Sequence, residues 1–401
     1  MNASLASFVH RDAAPALVDA LPAHVVLLTN FIPPHQRPLF TELSRRVKKL
    51  TILISTPMES DRQWQADFGT LDVRVLRTWT VRRPWRHPAG FADRLHVHVP
   101  LNTLGMLGEL KPDVVLSSAL GFATLGAALY KRLHSVPLLV WVGLSEHTER
   151  GRGRARNWLR RRLIGSIDQI LVNGRSGARY LRGLGFADEQ ISHVPYTTEP
   201  ELWDQCSLRR DAAASHRLLF VGQLNERKGI VPFTERLARW TAEHPDRRVE
   251  FSIIGSGPLR ERLEAIRAPE NLSLRLLGER NFRQIAEEYA RSGILAFPTL
   301  ADEWGMVVNE ALASGLPVLG SVYSQAAEEL CVEGETGWVF RPDAPGEMEQ
   351  ALTRALETPV ERLNEMRTAA RARAAEITPQ NSAERMVEAL QAALDRRGGR
   401  R

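Results

Sequence analysis

The chain has 401 residues, 43% hydrophobic and 25% charged, the balance of a globular protein, and no apolar run reaches the about 20 residues a membrane-spanning helix needs. Two cysteines, Cys206 and Cys331, exclude a disulfide scaffold and a cysteine-based zinc site. Lys and Arg number 53 against 47 acids, too small an excess to require a nucleic acid; the asymmetry says more, with 26 basic and 16 acidic residues in 1–200 against 27 and 31 in 201–401.

The first segment, Met1 to Leu21, carries Asp12 and Asp19 and lacks a continuous apolar stretch. It is a poor leader peptide, and a soluble cytoplasmic protein is expected. Short runs apolar on both faces then alternate with helical patterns. Strands are expected at His24–Asn30, Leu50–Ser55, Val73–Leu76, Asp113–Ser117, Pro137–Val142 and Gln169–Asn173. Such runs mark a parallel sheet covered by helices on both faces. Asn30 to Pro38 follows the first strand and brings His35 and Arg37 to the edge of a cleft. Glu146 and His147 follow the fifth strand at the same edge, and either suits an acceptor contact or a solvated loop.

Two basic segments interrupt this half. Trp79 to His87 mixes Arg82, Arg83 and Arg86 with Trp85. Arg150 to Ile164 holds seven arginines, among them Arg160, Arg161 and Arg162, around Trp158, Leu159 and Leu163. It reads as a basic amphipathic helix for an anionic membrane surface, or as a packed helix with its arginines in water.

A break at Val194–Ala214 contains Pro195 and Pro200. Strands resume at Arg217–Gly222, Val249–Gly255, Leu272–Gly278, Ile294–Pro298, Pro317–Gly320 and Gly337–Phe340. The pattern implies an α/β fold of two doubly wound domains, residues 1–200 and 201–379. Residues 380–401 form a helix and basic tail, which are expected to cross back to the first domain. Ligands of such folds bind in the crevice at the carboxyl ends of the strands.

Three segments of the second domain carry chemistry. In Val221-Gly222-Gln223-Leu224-Asn225-Glu226-Arg227-Lys228-Gly229, Lys228 sits before a helix whose N-terminus favours an anion. Gly255-Ser256-Gly257-Pro258 is a tight strand-to-helix turn, either nucleotide-contacting or structural. A dinucleotide fingerprint is disfavoured, because Arg260 stands at the third glycine position. In Asp302-Glu303-Trp304-Gly305-Met306-Val307-Val308-Asn309-Glu310, acids flank a helix N-terminus, a pairing suited to a phosphate with several hydroxyls.

Together these segments resemble glycosyltransferase family 4, retaining enzymes of the GT-B fold. The resemblance implies that Gly222, Gln223, Lys228, Gly255 and Gly257 line the site of a nucleotide-diphosphate sugar, with Lys228 on the diphosphate. It implies that Glu310 takes the ribose hydroxyls and Asp302 the transferred sugar. The stretch Glu303 to Val307 would hold sugar and phosphate through backbone amides. His147 would join Lys228, Asp302 and Glu310 among the catalytic residues. The acceptor side would include His35, Arg37 and Glu146, with Arg160 to Arg162 toward a membrane. Gln223 departs from the family's arginine and Asp302 from its first glutamate. No Asp-x-Asp occurs, which argues against a metal-bridged donor, and no cofactor is implied. A saccharide or lipid-linked acceptor in envelope or exopolysaccharide synthesis is expected. The rivals are a non-catalytic sugar-nucleotide-binding protein and an epimerase of the same fold.

Overall fold

The computed structural model describes residues 20–59, 66–199, 203 and 206–398. The reading of the leader falls almost wholly outside them, as do the last three residues of the basic tail.

The first domain opens with β1 (Leu21–Thr29), α1 (Arg37–Arg45), β2 (Val47–Ile54) and β3 (Asp72–Val75). A hairpin follows, β4 (Thr78–Arg86) and β5 (Ala92–Pro100), then α2 (Thr103–Leu110), β6 (Val114–Ser117) and α3 (Phe122–His134). The domain continues through β7 (Leu138–Val142), α4 (Arg154–Ile164), β8 (Gln169–Val172), α5 (Arg175–Leu184) and β9 (Ile191–His193). Its seven parallel strands run in the order β3-β2-β1-β6-β7-β8-β9. Val25 to Leu28 are at most 1% exposed, as a strand covered on both faces requires.

The second domain contains α6 (Ala212–Ser215), β10 (Arg217–Val221), α7 (Ile230–Glu243), β11 (Val249–Ile254), α8 (Arg260–Glu264), β12 (Leu272–Gly278) and α9 (Phe282–Arg291). Then come β13 (Ile294–Phe297), α10 (Met306–Ala313), β14 (Val318–Ser321), α11 (Gln325–Leu330), β15 (Gly337–Phe340), α12 (Glu347–Glu357) and α13 (Val360–Ala375). Its order is β12-β11-β10-β13-β14-β15, again all parallel. The strand order reverses between β1 and β6 in one sheet and between β10 and β13 in the other. These are the switch points where crevices form.

The final helix, α14 (Pro379–Gly398), leaves the second domain and packs on α1. Ala383, Met386, Leu390 and Ala393 recur at helical spacing and enter one core with Leu39, Phe40 and Leu43.

One element was not expected and one expectation is corrected. The Trp79–His87 cluster, where no strand is expected, is strand β4 with part of its turn, paired along its length with β5. The alternation was hidden because Trp79, Arg82, Arg83 and Arg86 all face solvent. The arginine-rich helix starts only at Arg154, because Gly151 and Gly153 hold positive φ before it. Its apolar face is not the expected one. Trp158 is 59% exposed, whereas Arg160 is 2% exposed, beside buried Leu163.

Met386→Ala should destabilise the first domain by about 2–5 kcal/mol, the range for truncating a buried Met. Urea unfolding followed by tryptophan fluorescence checks it; an unshifted midpoint would remove α14 from that core.

Candidate active site between the two domains

The loops after β10, β11 and β13 meet at the second switch point. The amide of Gly222 donates to Ile254 (3.0 Å), Leu224 to Ser256 (2.8 Å) and Leu259 back to Leu224 (3.0 Å). Gly255 has φ of 136°, and a Cβ there would lie 1.9 Å from the Gly222 carbonyl oxygen. At Gly257 it would lie 2.4 Å from that of Leu224. The contact between two loops thus accounts for the Gly-x-Gly. Asn225 caps the turn beyond, accepting from the Lys228 amide (3.3 Å).

Lys228 reaches across to Asp302, and the two form a short ion pair. The lysine Nζ lies 5.0 Å above the Phe297 ring. Arg227 donates to the same carboxylate (3.3 Å) and to the Ala301 carbonyl (3.2 Å). Burial opposes ionisation of Asp302, but Lys228 and Arg227 outweigh it and hold the carboxyl below its ordinary value. Gln223, where a cation is expected, is exposed and accepts from Asn225 (3.2 Å). The second cation of the cluster is Arg227, which motif reading passed over although it adjoins Lys228.

Gly305 caps α10, so Met306 and Val307 present first-turn amides toward the cleft edge. One helical turn on, Glu310 accepts from the Tyr289 hydroxyl (3.0 Å). Burial pushes the Glu310 carboxyl up to about 7, opposed only by that hydroxyl. Trp304 is buried; its indole donates to Asn309 (2.7 Å), whose amide donates to the Tyr196 carbonyl in the interdomain connection (3.2 Å).

Glu303 differs from its neighbours. The residue reaches the surface at the cleft, yet both domains crowd its carboxylate. Desolvation between the domains, then Glu149 and Asp302, push its carboxyl up to about 7 against Arg152 and Arg227.

The first domain contributes the opposite wall. Ser145 Oγ lies 3.5 Å from the Asp302 carbonyl. The His147 ring stacks on Tyr323 of the second domain (3.9 Å) and lies 3.5 Å from Glu146. Burial, despite Glu146, lowers the His147 pKa to about 4, so the ring is neutral at pH 7. Glu146 is clamped by Arg179 (2.9 Å), which also holds Glu328 of the second domain (2.8 Å). His35 packs against Tyr196 (5.4 Å), and Arg37 pairs with Asp67. The hairpin turn reaches the second domain, where a cavity of about 310 Å³ lies between Phe91 and Val231, Pro232 and Leu259.

One expected member leaves the set. Arg160 faces no membrane: it pairs with buried Glu149 (2.7 Å) and donates to Tyr180 (2.6 Å). Glu149 lies one residue before the arginine-rich segment, so the partner that draws the arginine inward escaped the sequence reading. Arg161 and Arg162 stay exposed.

Two family models match the chain. "Glycosyl transferase 4-like domain" covers residues 11–197 and "Glycosyl transferases group 1" residues 215–358. The chain is 24% identical over 275 residues to the sulfoquinovosyl transferase SQD2 of Arabidopsis thaliana, covering 62% of this chain and 50% of that protein. It is 24% identical over 258 residues to the alpha-D-kanosaminyltransferase of Streptomyces kanamyceticus, covering 60% of this chain and 66% of that protein. The match thus spans half of the plant relative and just under two thirds of the Streptomyces one. In fold it is similar to Anabaena HepE, solved with UDP, at a TM-score of 0.65 and 14% identity, covering 92% of this chain and 100% of that one.

A carboxyl raised in the folded state binds extra protons there between its unfolded and folded pKa values. The contribution of Glu310 to stability should therefore be full below about 4.5 and be lost as pH rises through about 7. Glu310→Gln should flatten part of that slope. Denaturant midpoints at pH 5 and pH 8 test this; equal wild-type and variant slopes would count against the burial of Glu310.

Proposed function

The chain belongs to the GT-B glycosyltransferases of family 4 type, and from that premise we propose that it moves a sugar from a nucleotide-diphosphate sugar to an acceptor hydroxyl with retention. The observation that carries the reading is the Lys228–Asp302–Arg227 cluster at a doubly wound switch point, with Glu310 at the neighbouring helix. A diphosphate entering there replaces Asp302 as the partner of Lys228. Asp302 is then released to accept from a sugar hydroxyl, and the carboxylate of Glu310 takes the ribose hydroxyls. As the glycosidic bond breaks, charge grows on the departing phosphate, and Lys228, Arg227 and the α10 amides stabilise it. The departing phosphate takes the acceptor proton, so the route needs neither a metal nor a dedicated protein base. His147, neutral and stacked, borders the reacting groups. Arg227 adds a cation beside Lys228 where Gln223 has none, and donor hydrolysis separates the transferase from a non-catalytic binder.

A saccharide or lipid-linked acceptor of envelope or exopolysaccharide synthesis fits the first domain. Trp79, Leu101, Phe122, Leu129, Leu133 and Trp158 are all more than 40% exposed there. Arg82, Arg83, Arg86, Arg161 and Arg162 are exposed in the same domain. Basic residues near an anionic bilayer contribute about 1 kcal/mol each, and interfacial aromatics add apolar burial.

A thermal-shift panel of nucleotide sugars, followed by donor hydrolysis, tests the activity. Lys228→Ala should lower turnover by a factor on the order of 100, about 3 kcal/mol for a lost electrostatic stabiliser. Asp302→Glu should be tolerated. Near-normal turnover in Lys228→Ala removes the diphosphate assignment.

The combined change of Trp158 to Ala with Arg161 and Arg162 to Gln should weaken sedimentation with anionic vesicles and leave donor hydrolysis intact. Equal recovery of wild type and variant would return these residues to a solvated face.

A further inference from the structure

Helix α5 of the first domain begins after Gly174, which has no side chain to cap it. Its first-turn amides have no acceptor within the helix. Two of them find one in the other domain. The Arg175 amide donates to Glu329 Oε1 (2.5 Å), and the Gly177 amide donates to Gln325 Oε1 (2.9 Å). Both acceptors belong to α11.

Gln325 is 1% exposed. Its side-chain nitrogen donates to the carbonyls of Leu144 (3.1 Å) and Gly143 (3.4 Å), and closely to that of Glu303. The orientation of its amide is fixed by chemistry, because an N–H can only donate and three carbonyls can only accept. We propose that Gln325 is a positioning residue: it caps α5 across the cleft and, through the same side chain, fixes the loop carrying Asp302 and Glu303, so that domain closure sets the transfer site.

The packing is tight on both sides of this contact. A Cβ at Gly177 would stand 2.7 Å from the Leu144 carbonyl oxygen and 3.0 Å from Gln325 Oε1. A Cβ at Gly174 would stand 2.8 Å from Glu329 Cγ. Ion pairs ring the contact, Arg175–Glu329 at 3.0 Å and Arg179–Glu328 at 2.8 Å. Both arginines are largely solvated, and such pairs contribute little. The buried amide is different. With the cleft open, water serves Gln325, the α5 amides and the three carbonyls. With the cleft closed, Gln325 serves the Gly177 amide and shares its two N–H groups among the three carbonyls, so removing it strands buried polar groups. The Ala326 amide and the hydroxyl of Ser324, the N-cap of α11, both donate to the Trp304 carbonyl, so the start of α11 touches the same loop at a second point.

The test uses the full chain with Gln325→Leu, Gln325→Glu and Gly177→Ala. Amide hydrogen exchange at the first turn of α5 reads the contact directly. Small-angle scattering reads domain separation. Hydrolysis of the nucleotide sugar found in the donor panel reads the site, and this last arm rests on the transferase reading. Gln325→Leu should raise exchange at Gly177 at least tenfold and enlarge the radius of gyration. Turnover should fall at least tenfold while KM for the donor changes less than twofold, because Lys228 and Glu310 remain in place. Gln325→Glu keeps the acceptor for Gly177 but loses the donors, so it should lower turnover while keeping part of the protection. Gly177→Ala approaches the contact from the other domain and should reproduce the larger radius if Gln325 variants fail to fold. Wild-type dimensions and turnover in both Gln325→Leu and Gly177→Ala would overturn the proposal. If the wild type hydrolyses no nucleotide sugar, the transferase reading falls, and exchange and scattering decide the positioning contact alone.

Discussion

The carboxylate of Asp302 lies where little water reaches it, and it stays ionised because Lys228 and Arg227 lie against it. Removing either cation alone would leave a buried charge short of a partner, which costs more than the pair itself contributes. The two loops are therefore bound to one another electrostatically as well as through the backbone, where Leu300 donates to Arg227 (2.8 Å). The cleft floor is set by this arrangement before any ligand arrives. The stretch from Trp304 through Glu310 inherits its position from that loop.

The three carboxylates of this region have been driven apart by their surroundings. Asp302 is held charged by cations, while Glu303 and Glu310 are pushed up to about 7 by desolvation. Groups of one chemical type acquire different roles when their environments separate their pKa values. Glu310 has Tyr289 to satisfy it, and Glu303 faces Glu149 and Arg152 of the other domain.

Much of the fold was readable because buried parallel strands write themselves as apolar runs, as at Val25 to Leu28 and Ile294 to Phe297. Lys228, Asp302 and Glu310 were readable because turn glycines and helix starts fix their places locally. The hairpin was missed because both its faces carry exposed tryptophan and arginine, leaving no alternation to detect. Arg160, Tyr289 and Gln325 were misplaced or missed for a different reason. Their roles depend on partners 11, 21 and up to 182 positions away, and nothing local marks a side chain for a distant partner. Arg227 was legible in principle, as a second cation beside the first.

The position of α14 bears on the order in which the molecule is assembled. Met386 and Leu390 complete a core that includes Leu39 and Phe40, more than 300 residues earlier in the chain. During synthesis the second domain emerges and can fold as a unit while the first still shows an uncovered apolar face on α1 and its sheet. That face is closed only when α14 arrives, after the second domain has been made. The earlier domain in the chain is therefore the later one to finish, and its exposed surface in the interval is where a chaperone would bind or a neighbouring nascent chain would stick.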